Sequence, residues 1–112
     1  MDDRLRQKLA SWHKQIEEVE AKEGQYLQLE ANEKPLFGSL FLAATGKSIA
    51  EKEAQVHASQ DWRDFKRGLV GAEVEYLKSK RMLELKQAAF NASYLEAKHD
   101  FGAIQRLPAG LP

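Results

Sequence analysis

Cysteine is absent from the 112 residues, which excludes disulfides, thiolate zinc sites and thiol nucleophiles. β-Branched residues are nearly absent too: Ile16, Val19, Thr45, Ile49, Val56, Val70, Val74 and Ile104 make up the whole set. Seven glycines and three prolines are too few to punctuate a sheet protein, so no strand is expected anywhere. Lys and Arg number 17 against 17 Asp and Glu, and this balance excludes a strongly basic nucleic-acid reader while leaving room for a local basic face. No stretch approaches the roughly 20 apolar residues of a membrane span, and Met1-Asp2-Asp3-Arg4 is not followed by the apolar run of a signal peptide. The expectation is one small soluble domain in the cytoplasm, without contact to a membrane.

What the chain does contain is helical periodicity. Leu5, Leu9, Trp12, Ile16, Val19 and Tyr26 follow alternating steps of four and three, with Glu23 at the one polar step. That is a heptad seam, and the intervening Lys, Glu, Gln and Arg are good helix formers. A first helix is predicted from about 3 to 32, with a soft point at Gly24. Lys34-Pro35 then resets the chain. Leu36 to Ala44 is its most apolar segment and reads as a short buried helix over 35–45, closed by Thr45 and a C-capping Gly46.

Ser48-Ile49-Ala50-Glu51 has the spacing of a capping box, so a further helix starts at Ser48. Ser59, with Asp61 just behind it, predicts a kink or restart near Ala58. Beyond it Trp62, Leu69, Tyr76, Leu83, Phe90 and Ala97 recur every seven residues. This long helix, to about 101, would measure on the order of 65 Å from Ser59 at about 1.5 Å per residue, so it needs a partner along its length. The first helix is that partner. The predicted fold is therefore all-α, an antiparallel helical hairpin with a short apolar connecting helix and a mobile tail over 102–112. Because the first helix covers only part of the long one, Leu69, Tyr76, Leu83, Phe90 and Tyr94 form the seam on which another chain is expected, either a second copy in a homo-oligomer or an obligate partner.

Chemistry is sparsely encoded. Gly46-Lys47-Ser48 has the ending of a phosphate-binding loop, but the glycine that motif needs five residues earlier is Phe41, and no strand leads in. His13, His57 and His99 lack the spacing of metal ligands and read as capping or solvated side chains. The paired carboxylates Glu17-Glu18, Glu51-Glu53 and Glu73-Glu75 fit an ordinary solvated helix surface. No catalytic, metal or cofactor-binding residue can be named, so an enzyme is not expected. Lys78, Lys80, Arg81 and Lys86, with Arg63, Lys66 and Arg67 earlier in the same helix, are the candidate contacts to nucleic-acid phosphates or to a protein partner. Glu73, Glu75 and Glu84 dilute their field and favour the partner-facing or solvated reading.

The stretch from Leu40-Phe41-Leu42-Ala43-Ala44 through Ser48-Ile49-Ala50-Glu51-Lys52-Glu53-Ala54, with Ser59, Trp62 and the run Ala72-Glu73-x-Glu75-Tyr76-Leu77-x-x-x-Arg81, resembles small helical accessory proteins of tailed bacteriophages and prophages. The resemblance spans about Pro35 to Tyr94. It implies a non-enzymatic protein encoded among early recombination or replication genes, at work in the cytoplasm of a bacterial host, with no functional residue to carry over. The function expected is that of an accessory or adaptor acting through a phage or host protein. The alternatives are an inhibitor of a host protein and a direct DNA-binding module. Secreted helical hairpins with a Trp-x-Gly turn are set aside, because Trp62 is followed by Arg63-Asp64 inside a helix.

Overall fold

A computed structural model describes residues 2–110, and side chains over 2–100. Three helices account for the fold: α1 (Asp3–Ala43), α2 (Ile49–Ala58) and α3 (Gln60–Gly110). Among the described residues there is no strand. The helices divide into two compact units, a terminal unit of Met1–Val19 with Ser79–Pro112 and a central unit of Glu20–Lys78.

In the central unit, α1 and α3 run antiparallel, because the partners on α3 descend as those on α1 ascend. Tyr76 donates to Glu23 Oε2 at 2.9 Å and stacks on Tyr26 at 6.0 Å, Lys66 pairs with Glu33 at 3.2 Å, and Trp62 meets Phe37 edge-on at 5.3 Å. The terminal unit repeats the pattern. Lys8 bonds Ser93, Trp12 packs on Phe90 at 5.4 Å, and Gln15 lies between Ser79 and Lys86. The all-α hairpin read from the heptads is the fold.

The predicted break at Lys34-Pro35 does not occur, and the two expected helices 3–32 and 35–45 are one continuous α1 with Pro35 inside it. Proline removes one backbone bond and crowds the preceding turn. Here it lies on an exposed stretch of the helix, while Glu33 and Phe37 on either side are tied to Lys66 and Trp62. These contacts hold the helical path across it. The apolar segment is likewise not uniformly buried, since Leu42 is 83% exposed.

The caps on α2 follow the sequence. Ser48 Oγ accepts from the Glu51 N–H at 3.1 Å, and Glu51 reaches back to the Lys47 N–H at 2.7 Å, one residue earlier than in the usual box. Ser59 ends α2 by donating to the Val56 carbonyl at 2.7 Å and starts α3 by accepting from the Trp62 N–H at 3.3 Å. Of the expected kink or restart near Ala58 the structure shows the restart, so the span predicted as one helix from 48 is two helices, α2 and α3. Gly46 is no left-handed C-cap, because no described glycine has positive φ. Its missing side chain serves close approach instead: a Cβ there would lie 2.8 Å from Glu51 Cβ and 3.0 Å from the Lys52 nitrogen. Gln55 clasps the same turn, its Oε1 accepting from the Thr45 and Gly46 N–H groups at 2.9 and 3.0 Å. The long helix expected to end near 101, with a tail over 102–112, continues as α3 to Gly110, and 111–112 lie outside the described residues.

The apolar core is small. Among the described residues only Leu5, Val56, Trp62 and Leu69 are buried hydrophobics, alongside three buried polar residues, Gln15, Ser79 and Ser93.

Candidate interaction surface

The residues expected to form an oligomer seam turn inward within one chain. In the central unit Leu69 is buried and Tyr76 is held against Tyr26 and Glu23; in the terminal unit Phe90 packs on Trp12. Leu83 is half-buried, and Tyr94, stacked on Phe90, remains half-exposed. The α3 seam is thus occupied by α1 at Tyr76 and at Phe90, each within its own unit.

The four basic candidates do not converge. Lys78 belongs to the central unit and sits 3.8 Å from Glu75. In the terminal unit Lys80 and Arg81 are neighbours in sequence, which on a helix sets them about 100° apart. Lys86 turns inward and donates to Gln15 Oε1 at 3.1 Å. Within the terminal unit, helical rotation sets Lys80, Arg81 and Lys86 at least about 100° from one another.

The histidines also separate. His57 occupies the last turn of α2, where a cation suits the helix dipole, and joins an aromatic cluster 5.6 Å from Phe37 and 6.0 Å from Trp62. His13 lies beside Trp12, and His99 is exposed on α3. Among the described residues no group of three or more His, Asp or Glu is placed to hold a metal ion. The aromatic cluster borders an open cleft of about 380 Å³ lined by Glu33, Lys34, Phe37, Gly38, His57 and Trp62. Its walls are aromatic, and its carboxylate and ammonium groups sit on one edge of α1.

The central unit carries one electrostatic feature that the sequence did not signal. Tyr26 hydrogen-bonds Glu30, and this bond, burial, and the charges of Glu30, Glu73 and Glu33 push its phenol up to about 12. Folding thus favours the protonated phenol. Its contribution is fully present below the ordinary value of about 10 and is lost as pH rises through about 12. A tyrosinate absorbance titration, recorded with the helical circular dichroism signal, is expected to show one phenol titrating near 12. In Glu30→Gln that step should move back toward the ordinary value, and an unmoved step would contradict the assignment.

What the sequence reading overlooked is a second apolar face. In the central unit Val70, Val74 and Leu77 stand four and three residues apart on one side of α3, with exposures of 57%, 42% and 43%. In the terminal unit Met82, Leu85 and Leu95 are exposed as well. The same rule of threes and fours that identified the inner seam applies to these positions, but the stronger aromatic heptad masks it. Among the described residues no helix is long and apolar enough to cross a membrane, so a bilayer span does not account for the exposed face. Comparison with protein families, with characterised proteins and with solved structures finds no match to this chain.

Proposed function

We propose that the protein acts by binding other proteins, as a self-associating accessory or adaptor in phage DNA recombination or replication in the cytoplasm of a bacterial host, and not as an enzyme. The observation that carries this reading is the exposed face of Val70, Val74 and Leu77. An i, i+4, i+7 row of aliphatic side chains is the pattern by which a helix docks against a protein groove or another helix. Exposed apolar surface of this kind, on a chain whose buried apolar set is so small, marks an interaction site. The phage context comes from the resemblance over Pro35 to Tyr94.

An inhibitor of a host protein would use the same face and differs only in the consequence of binding. Direct DNA binding is the weaker reading, because two of the four basic candidates already contact Glu75 and Gln15.

The test is capture of the tagged full-length chain from host cells during phage growth, with and without nuclease, beside the variant Leu77→Asp. The expected result is a stoichiometric protein that survives nuclease and moderate salt and disappears with the variant. Recovery of nucleic acid alone, lost with nuclease or moderate salt, would overturn the reading in favour of DNA binding.

A further inference from the structure

The open cleft of about 380 Å³ in the central unit is walled by all three helices: Glu33, Lys34, Phe37 and Gly38 come from α1, His57 from α2 and Trp62 from α3. Its rings stand at steep mutual angles, 76° between Phe37 and Trp62 and 81° between His57 and Trp62. A flat ring entering the cleft can therefore stack on one wall while meeting another edge-on, the two arrangements that aromatic pairs prefer. Gly38 leaves the α1 side open. A Cβ there would meet nothing within 4 Å, so no packing within the chain accounts for a residue that weakens a helix interior. The charges of the lining are uneven. Glu33 is already answered by Lys66, whose ammonium lies 3.2 Å from its carboxylate and 5.5 Å from the Trp62 ring centroid. Lys34 and His57 are both exposed, and among the described residues neither has a hydrogen-bond or ion-pair partner. The lining thus presents two donors, one of them a cation, that the chain itself does not use.

We propose that the cleft receives an aromatic side chain of a partner protein with an Asp or Glu directly beside it in the partner's sequence. The ring is seated against Phe37, His57 and Trp62 over Gly38, and the carboxylate is taken by Lys34 and His57. Each half of this ligand answers a separate part of the lining. A carboxylate carries the one negative charge that Lys34 leaves unbalanced, since Glu33 and Lys66 neutralise each other. A phosphate, with about two charges, is matched by arginine clusters, and no arginine lines the cleft. A cationic ligand would meet Lys34, and the one carboxylate there is held by Lys66. The source is a protein and not a free aromatic acid, because small-ligand sites of roughly 300–1,000 Å³ bury most of their ligand. This cleft is open to solvent and leaves room for the backbone that carries the ring. The proposal rests on the protein-binding reading and adds a second contact, which shares no residue with the row of Val70, Val74 and Leu77.

The experiment is a titration of the full-length chain with the blocked peptide acetyl-Gly-Phe-Asp-Gly-amide, followed by the tryptophan indole N–H signals in NMR. Trp62 reports on the cleft, and Trp12, in the terminal unit, is the internal control. The expected result is a saturable shift at Trp62 with Kd on the order of 1 mM, and none at Trp12. Replacing the peptide's Asp with Asn should weaken binding about threefold to fivefold at low salt, and replacing its Phe with Ala should abolish it. In Lys34→Glu the preference should invert, a peptide with Lys in place of Asp becoming the better ligand. Gly38→Leu puts a better helix former into open space, so it should keep the helical signal and lose the peptide. Leu77→Asp should bind the peptide as wild type does. No saturable shift at Trp62, or binding that ignores Lys34→Glu or survives Gly38→Leu, would overturn the cleft assignment while leaving the row of Val70, Val74 and Leu77 untouched. Free phenylpropionate binding as tightly as the peptide would overturn the protein source.

Discussion

Trp62→Ala is expected to abolish the cooperative fold at physiological temperature. Trp62 is one of only four buried apolar side chains among the described residues, at 7% exposure. It also organises its surroundings, with Phe37 at 5.3 Å, Phe65 at 5.8 Å, His57 at 6.0 Å and the Lys66 ammonium 5.5 Å from the ring centroid. Truncating a buried tryptophan costs about 3–5 kcal/mol. For a domain of this size each kcal/mol lowers Tm by roughly 4–8 °C, so the midpoint should fall by at least about 12 °C. With so few buried apolar side chains, nothing else in the central unit offsets that loss. Thermal unfolding followed by circular dichroism checks it. A shift of only a degree or two would mean that the aromatic cluster is not where the hairpin is held.

The second large effect is expected at Gln15, where a polar side chain at 3% exposure stands in the middle of the α1–α3 contact of the terminal unit. Its Nε2 donates to the Ser79 carbonyl at 3.0 Å and its Oε1 accepts from Lys86 Nζ at 3.1 Å. Gln15→Ala removes both bonds and leaves the Lys86 ammonium facing the inside of the contact without that acceptor, at a cost of about 1–3 kcal/mol. Lys86→Ala should cost less, because the amide of Gln15 keeps its bond to Ser79. Because the two side chains meet, their effects should not add. A double-mutant cycle by urea denaturation is expected to return a coupling of about 1 kcal/mol. Additive losses would show that the pair contributes nothing as a pair. Such a buried polar contact fixes register more than it adds stability, since it is satisfied only when Gln15 lies opposite Ser79 and Lys86.

The parts of this fold that were readable from sequence are those set by local chemistry and period. The sevenfold spacing from Trp62 to Phe90 identified the side of α3 that α1 covers, and Ser48 and Ser59 declared the ends of α2 because their hydroxyls bond backbone groups three residues away. Pro35 misled because the contacts that carry α1 across it, Glu33 with Lys66 and Phe37 with Trp62, join residues some 30 positions apart. Gly46 misled for a related reason: its small size answers Glu51 pressing on it, not a left-handed turn. Gln15 gave no signal at all, since a polar residue beside Ile16 reads as surface until its partners on α3 are known. The candidate site was the least legible part. The basic residues 78–86 gave no sign that Glu75 and Gln15 hold two of them, and the coverage of the inner seam by α1 cannot be read from periodicity. The outward face of Val70, Val74 and Leu77 is hidden in the sequence because the stronger aromatic heptad masks its spacing.

A chain with this little buried apolar surface and this much exposed on α3 should gain stability from a second copy. Anything that binds the native state alone raises Tm with concentration by mass action. The decisive measurement is therefore Tm of the full-length chain by circular dichroism across a hundredfold range of protein concentration, with mass determined at each end. The expected result is a Tm that climbs by several degrees as the mass rises from one chain to two; a single Tm at every concentration, with the mass of one chain throughout, would overturn self-association.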